Sequence, residues 1–117
     1  MPYPSLTKKL LDAVDRFRQP QTQMFKAGER WEAISAEEML RHIAGLSHGL
    51  AELGVGMGDR VGLFSANRPE WHVADFAILG LGAIDVPIYF RESPERMAYI
   101  LNHSGAKVVF VAGVEQA

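Results

Sequence analysis

The stretch that most limits what this chain can fold into is residues 58–71, Gly-Asp-Arg-Val-Gly-Leu-Phe-Ser-Ala-Asn-Arg-Pro-Glu-Trp. Its apolar run, Val61-Gly62-Leu63-Phe64, is bounded on both sides by turn residues, the pattern of a short strand covered on both faces. Asn67-Arg68-Pro69 then breaks the strand. Proline has a fixed φ and no N–H, so Pro69 suits the first position of a helix. Glu70 falls in the first turn, where the helix dipole favours an acid. A strand that feeds straight into a helix is the opening half of a βαβ unit.

Downstream residues complete that unit. The helix from Pro69 is predicted to reach Leu79 and is apolar almost all round, so it needs cover on more than one side. Gly80-Leu81-Gly82 closes it. Residues 84–88 are the second strand. Pro87 cannot donate to a ladder there, so it belongs near the strand end or on an unpaired side. Ser93-Pro94-Glu95 repeats the logic of a serine cap with proline in the first position, and its helix ends near Ser104-Gly105. Residues 107–111, Lys-Val-Val-Phe-Val, are the third strand. Strands alternating with helices spell βαβαβ. Right-handed crossovers then give a three-layer α/β fold, a parallel sheet with helices on its faces.

Upstream, Ser5 is placed to cap a helix running to about Phe17, with Leu6, Leu10, Ala13, Val14 and Phe17 on one face and Pro20 as its stop. Residues 21–26 and 30–34 read as a small β-hairpin that carries Phe25 and Trp31. Ser35-Ala36-Glu37-Glu38 is a capping box. The helix it opens is predicted to reach Leu53 before Gly54. Ala36, Leu40, Ile43, Ser47, Leu50 and Ala51 form its buried stripe, widened by Met39, Leu46 and Leu53.

Composition sets the outer limits. A chain of 117 residues makes one domain at most. A net charge of −2 with a pI near 6.1 gives no electrostatic reason to expect a nucleic-acid partner. The chain has no cysteine, which excludes disulfides and thiolate zinc sites and fits a reducing compartment. The opening Met-Pro-Tyr-Pro-Ser lacks the basic and apolar regions of a secretory leader. The most apolar stretch, residues 76–90, is too short to span a bilayer and contains Asp85, so no transmembrane segment is expected. These features point to a cytoplasmic location.

Several motifs lose their chemistry once placed on elements. Gly45-Leu46-Ser47-His48-Gly49 matches G-x-S-x-G, but a nucleophile elbow needs a strand-to-helix turn and this one lies inside a helix. The glycines of residues 54–58 and 80–82 follow a helix and open a strand, the reverse of a dinucleotide fingerprint, so they are turn glycines. His42, His48, His72 and His103 show no metal-ligand spacing and read as solvated or lightly packed. Trp31 and Trp71 read as core aromatics. The loop Tyr89-Phe90-Arg91-Glu92-Ser93 differs from these: it leaves the carboxyl end of a parallel strand, the edge where open α/β sheets bind ligands. Arg91 suits a phosphate there, and Tyr89 or Phe90 suits a base. The alternative is an ordinary surface loop.

From about residue 5 to residue 111 the sequence resembles the N-terminal region of adenylate-forming enzymes, specifically bacterial long-chain acyl-CoA synthetases of the AMP-dependent synthetase and ligase family. Gly58-Asp59-Arg60-Val61 with Asn67-Arg68-Pro69-Glu70-Trp71 carries the strongest part of the resemblance. Ala83-Ile84-Asp85-Val86-Pro87-Ile88-Tyr89, Ser93-Pro94-Glu95, Tyr99-Ile100-Leu101-Asn102 and residues 104–109 carry the rest. Two departures are Ala36, where the family often has an aromatic, and Phe90-Arg91, where it often has Pro-Thr. The resemblance implies a two-step reaction: a fatty acid and ATP give an acyl-adenylate and pyrophosphate, then CoA displaces AMP, with Mg2+ offsetting phosphate charge. It implies that the family's phosphate loop, later catalytic motifs and mobile C-terminal domain lie beyond position 117. No catalytic residue is therefore expected in this chain. It also implies that the loop matching Tyr89, Phe90 and Arg91 lies near the CoA nucleotide.

Three parallel strands leave two open edges, so the chain is expected to be the N-terminal portion, residues 1–117, of a longer AMP-binding domain. It is then inactive alone, binds no ATP, Mg2+ or CoA by itself, and tends to self-associate through the Trp71–Leu79 helix and the sheet edges. The other reading is a free-standing α/β module for binding or assembly.

Overall fold

The computed structural model describes residues 5–112; the reading of the opening residues as leaderless falls largely outside that range. Ser5 caps α1 (Leu6–Phe17) by accepting the Lys8 N–H at 3.1 Å. The helix stops at Arg18, two residues before Pro20. Arg18 turns into the left-handed region at φ 45° and donates its N–H to Val14 O. Strands β1 (Gln23–Ala27) and β2 (Arg30–Ile34) form the expected antiparallel hairpin around Gly28-Glu29. Ser35 caps α2 (Ala36–Glu52) by accepting the Glu38 N–H, while its hydroxyl meets the Glu38 carboxylate at 3.3 Å. Gly54, at φ +90°, takes the chain out of that helix as a side chain with a Cβ could not do cheaply.

The βαβαβ unit follows: β3 (Arg60–Phe64), α3 (Pro69–Gly80), β4 (Ile84–Ile88), α4 (Pro94–Ser104) and β5 (Val108–Val111). All three strands are parallel, in the order β4-β3-β5. The central strand β3 is buried from Val61 to Phe64. Pro87 sits opposite Leu63 on β4, an edge strand, so its missing N–H disrupts no second ladder.

Alternation along the strands separates two faces. Val61 and Val108 pack with Leu50 of α2 and Ala77 and Ile78 of α3. Gly62 looks the other way: a Cβ there would lie 2.8 Å from Leu101 Cδ2 of α4 and 3.0 Å from Val109 Cγ2. So α2 and α3 cover one face and α4 the other, with Gly62 allowing α4 to close down on the sheet.

Burial departs from the sequence pattern at several positions. On α1 only Val14 is buried, and Leu6 and Phe17 are 63% and 59% exposed. Ala51 of α2 and its cap residue Leu53 are exposed, although Leu50 beside them is buried in the core. Trp31 is 64% exposed on the hairpin and is no core aromatic, whereas Trp71 is partly buried. The large apolar side chains of α3 are buried or partly buried against α2 and the sheet, so the Trp71–Leu79 helix does not expose the apolar surface expected of it, whereas Leu6, Leu11 and Phe17 leave one uncovered on α1.

Candidate functional site

Topology decides where a ligand can reach this sheet. From β3 the chain crosses through α3 to β4 on one side, then returns through α4 to β5 on the other. The strand order sets the carboxyl ends of β3 and β5 side by side, at the edge where open α/β sheets bind ligands. A cleft of about 660 Å³ lies there, between α2 and α3. Leu46, Leu63, Trp71, Ala74 and Phe110 give it apolar walls, while Arg41, His42, Ser65, Arg68 and Glu70 supply its polar groups.

Part of that polar set is self-paired. Arg68 Nε donates to Glu70 Oε2 at 2.8 Å. This bond holds the Glu70 carboxyl below the usual range, with the backbone N–H and a smaller contribution from His42 acting the same way, and it raises the Arg68 guanidinium. Arg41 forms no ion pair among the described residues. A second hollow, of about 770 Å³, separates the hairpin from the β3–α3 loop. Gln23 Nε2 bridges its flanks by donating to Pro69 O at 3.0 Å, which ties the hairpin to the start of α3.

The loop singled out in the sequence leaves the carboxyl end of β4. Its turn is closed by the Glu92 N–H donating to Tyr89 O at 2.9 Å, and Ser93 Oγ then accepts the Arg96 N–H to start α4. Tyr89 and Phe90 meet edge to face at 5.2 Å, and the Arg91 guanidinium lies over the Phe90 ring at 5.3 Å. Tyr89 is 63% exposed and Phe90 37%. The three residues thus form one exposed aromatic–cation cluster, with the groups that stacking on a base and pairing with a phosphate require. They do not line the crevice between β3 and β5.

The crevice residues were not read in the sequence as one ligand site. Ser65 and Ala112 immediately follow two strands, which is the available signal, but which strand ends face a crevice depends on strand order. Ser47 of the G-x-S-x-G pattern lies inside α2 and donates to Ala77 O at 2.7 Å, so it joins α2 to α3. His48 pairs with Glu52 at 3.3 Å, His103 stacks on Tyr99, and all four histidines are exposed. Among the described residues no group of three His, Cys, Asp or Glu side chains gathers as a metal site. No helix among them is long and apolar enough to cross a membrane.

A parallel sheet covered on both faces, with a cleft at its strand carboxyl ends, is the architecture of a ligand-binding open α/β domain. Comparison with known proteins narrows that class. The family described as "AMP-binding enzyme" matches residues 13–117, and the chain belongs to it. The long-chain-fatty-acid–CoA ligase FadD15 of Mycobacterium bovis is 45% identical over 80 residues, 68% of this chain and 13% of that protein. A long-chain-fatty-acid–CoA ligase of Thermus thermophilus is 42% identical over 72 residues, 62% of this chain and again 13% of the relative. The chain therefore spans about an eighth of the length of these relatives. Among solved structures, Klebsiella oxytoca NpsA in complex with 3-hydroxyanthranilyl-AMSN superposes with a TM-score of 0.86 at 18% identity, over 98% of this chain and 23% of NpsA. The fatty acid AMP ligase of Legionella pneumophila gives 0.81 at 24% identity, over 92% and 19%. These two likenesses establish the fold.

Proposed function

We propose that residues 1–117 are the N-terminal portion of the adenylation domain of a cytoplasmic long-chain fatty acid–CoA ligase. The observation that carries this reading is the 45% identity to such a ligase over 80 residues that make up only 13% of it. The reaction joins a fatty acid to ATP, releases pyrophosphate, and passes the acyl group from AMP to the CoA thiol. ATP, with its Mg2+, and CoA are the co-substrates of the whole enzyme. In this reading the phosphate-binding and catalytic groups belong to later parts of the polypeptide, and the 117 residues supply scaffold. The chain alone then makes no acyl-CoA, and its uncovered α1 face and open sheet edges lead it to self-associate.

Tyr89, Phe90 and Arg91 are proposed to contact the CoA nucleotide. The exposed rings and the guanidinium at the carboxyl end of β4 support this. The test has two arms. The mass of the endogenous protein, detected with an antibody to this segment, is expected to exceed 13.0 kDa several-fold. That full-length protein should show fatty-acid-dependent ATP–pyrophosphate exchange, and the 117-residue chain should not. In the full-length enzyme, Arg91→Ala should raise the KM for CoA roughly tenfold, the loss of one charge-assisted hydrogen bond, with pyrophosphate exchange unchanged. An unaltered CoA KM removes the loop from the site. An endogenous product of 13.0 kDa turns the reading to a free-standing binding module.

A further inference from the structure

Asp75 and Asp85 are two acidic side chains with no ion-pair partner among the described residues. Asp85 stands opposite Val61 in the β3–β4 ladder, so its side chain shares the sheet face that packs under α3. Asp75 lies on α3, one turn before the fully buried Ile78. Both residues are half-buried, and the strand register with the packing of α3 on β4 brings their side chains together, close enough for one carboxyl to hydrogen-bond the other. Two carboxylates are both acceptors, so a bond between them requires a proton on one.

No cation stands in for that proton. Neither aspartate has an ion pair within 4 Å among the described residues. On the elements packed against α3, the charged groups are engaged elsewhere or exert no resolved effect. Lys8 pairs with Asp12 on α1, Arg18 beyond it reaches Asp15 and Glu37, and His48 on α2 pairs with Glu52. Arg60 on β3 donates to Ser104 O. Arg41 and His42 of α2 and Lys26 of β1 do not act on Asp75; Asp85 is the one charged group that does. On α4, which covers the opposite face, Arg96 is paired with Glu92.

We propose that Asp75 and Asp85 share one proton in the folded protein and so form a latch between α3 and the edge strand β4, which loosens when the proton leaves. Burial, the hydrogen bond and the Asp85 charge agree with this, pushing Asp75 up to about 7. β4 has a neighbour on one side only, so the latch is one of its few ties besides the ladder to β3. The same strand carries the Tyr89-Phe90-Arg91 loop, and its setting therefore follows the latch.

The sign follows from proton uptake. An unfolded aspartate has released its proton above about pH 4, whereas the folded pair holds one up to about 7, so stability falls as pH rises between those two values, levels off above the folded one and is regained on acidification. The experiment is thermal unfolding of the 117-residue protein at steps from about pH 5 to about pH 9, beside Asp75→Asn and Asp85→Asn. In the wild type the melting temperature should drop by several degrees between about pH 5 and about pH 7 and level off above. Either asparagine donates an N–H in place of the shared proton, so each variant should lose that drop and protect β4 amides at high pH as the wild type does at low pH. A wild-type slope retained in both variants overturns the proposal. Carboxyl carbon NMR of the wild type decides the matter if a variant does not fold. One aspartate carboxyl of the pair titrating near neutrality is expected, and ordinary titration of both below about pH 5 overturns the latch.

Discussion

The two ends of the parallel sheet are built differently. At the amino end, segments distant in sequence are bonded to one another. Lys107 Nζ reaches both Gly54 O and Asp59 Oδ2, at 3.0 and 3.1 Å, while the same carboxylate accepts the Gly56 N–H at 2.8 Å. Gly58 N–H donates to Gly82 O, and Arg60 Nε donates to Ser104 O at the end of α4, where a cation also meets the negative pole of the helix. At the carboxyl end the bonds are mostly local: the side chains of Ser65 to Ala66 and of Arg68 to Glu70, and the backbone-closed turn from Tyr89 to Glu92. The Gln23–Pro69 bond is the long-range exception. Cross-linked turns hold strand register at one end. Locally closed loops at the other leave side chains free for a ligand or for more polypeptide, the division of labour that open α/β sheets share.

The comparison breaks most readily in the central strand on which both ends depend. Gly62→Ala places a methyl 3.0 Å from Val109 Cγ2 and 3.3 Å from Val109 Cβ. The Leu101 tip can rotate away, but a β-branched valine on the adjacent strand cannot. Overpacking of about 1–3 kcal/mol is expected, seen as a fall in denaturation midpoint with no change in m. A midpoint equal to that of the wild type means that α4 does not close on β3 as described.

A lesion at the amino end should come next in size. The Gly56 N–H and then Lys107 hold the Asp59 carboxyl below its usual range. Its folded value lies under its unfolded one, so its contribution is present above about pH 4 and disappears as pH falls through the folded value. Asp59→Ala should lower the melting temperature near neutrality and converge on the wild type in acid, as pH-resolved calorimetry can show. A constant difference at all pH values assigns the effect to packing and not to the charge.

Much of this organisation was legible in the sequence because it is local. Ser5, Ser35 and Ser93 cap helices, Pro69 and Pro94 open them, and the apolar runs of β3 and β5 announce strands, the first buried and the second half-buried. Each signal rests on hydrogen bonds or periodicity within a few residues. What could not be read depends on distant parts. The apolar stripe of α1 predicts burial, but a stripe is buried only if something covers it, and among the described residues Leu6 and Phe17 stay exposed. Trp31 follows the same rule. The crevice was illegible for a topological reason: βαβαβ does not say on which side of β3 each later strand lies, and only the order β4-β3-β5 brings Ser65 and Ala112 to one mouth.

The uncovered α1 face supplies the next test. In sedimentation over a wide concentration range the 117-residue chain should show mass rising with concentration, and Leu6→Ser with Phe17→Ser should reduce that rise while leaving the monomer folded, because both side chains are already mostly exposed. A monomeric wild type removes self-association. An unchanged rise in the double variant moves it to the open sheet edges.

The smallest expected effect is the most informative about the carboxyl end. Arg91 touches the Phe90 ring and forms no ion pair among the described residues, and the turn beside it is closed by backbone atoms that a substitution leaves alone. Arg91→Ala should therefore keep the stability of the isolated chain within about 0.5 kcal/mol of wild type, as surface changes usually do. Denaturant unfolding of the two proteins side by side measures it. Stability unchanged while the CoA KM of the full-length enzyme rises means that the residue is held ready for a ligand and that the fold does not depend on it. A loss as large as that of Asp59→Ala would mean the opposite: the β4 loop braces the sheet as the amino-end turns do, and the contrast between the two ends disappears.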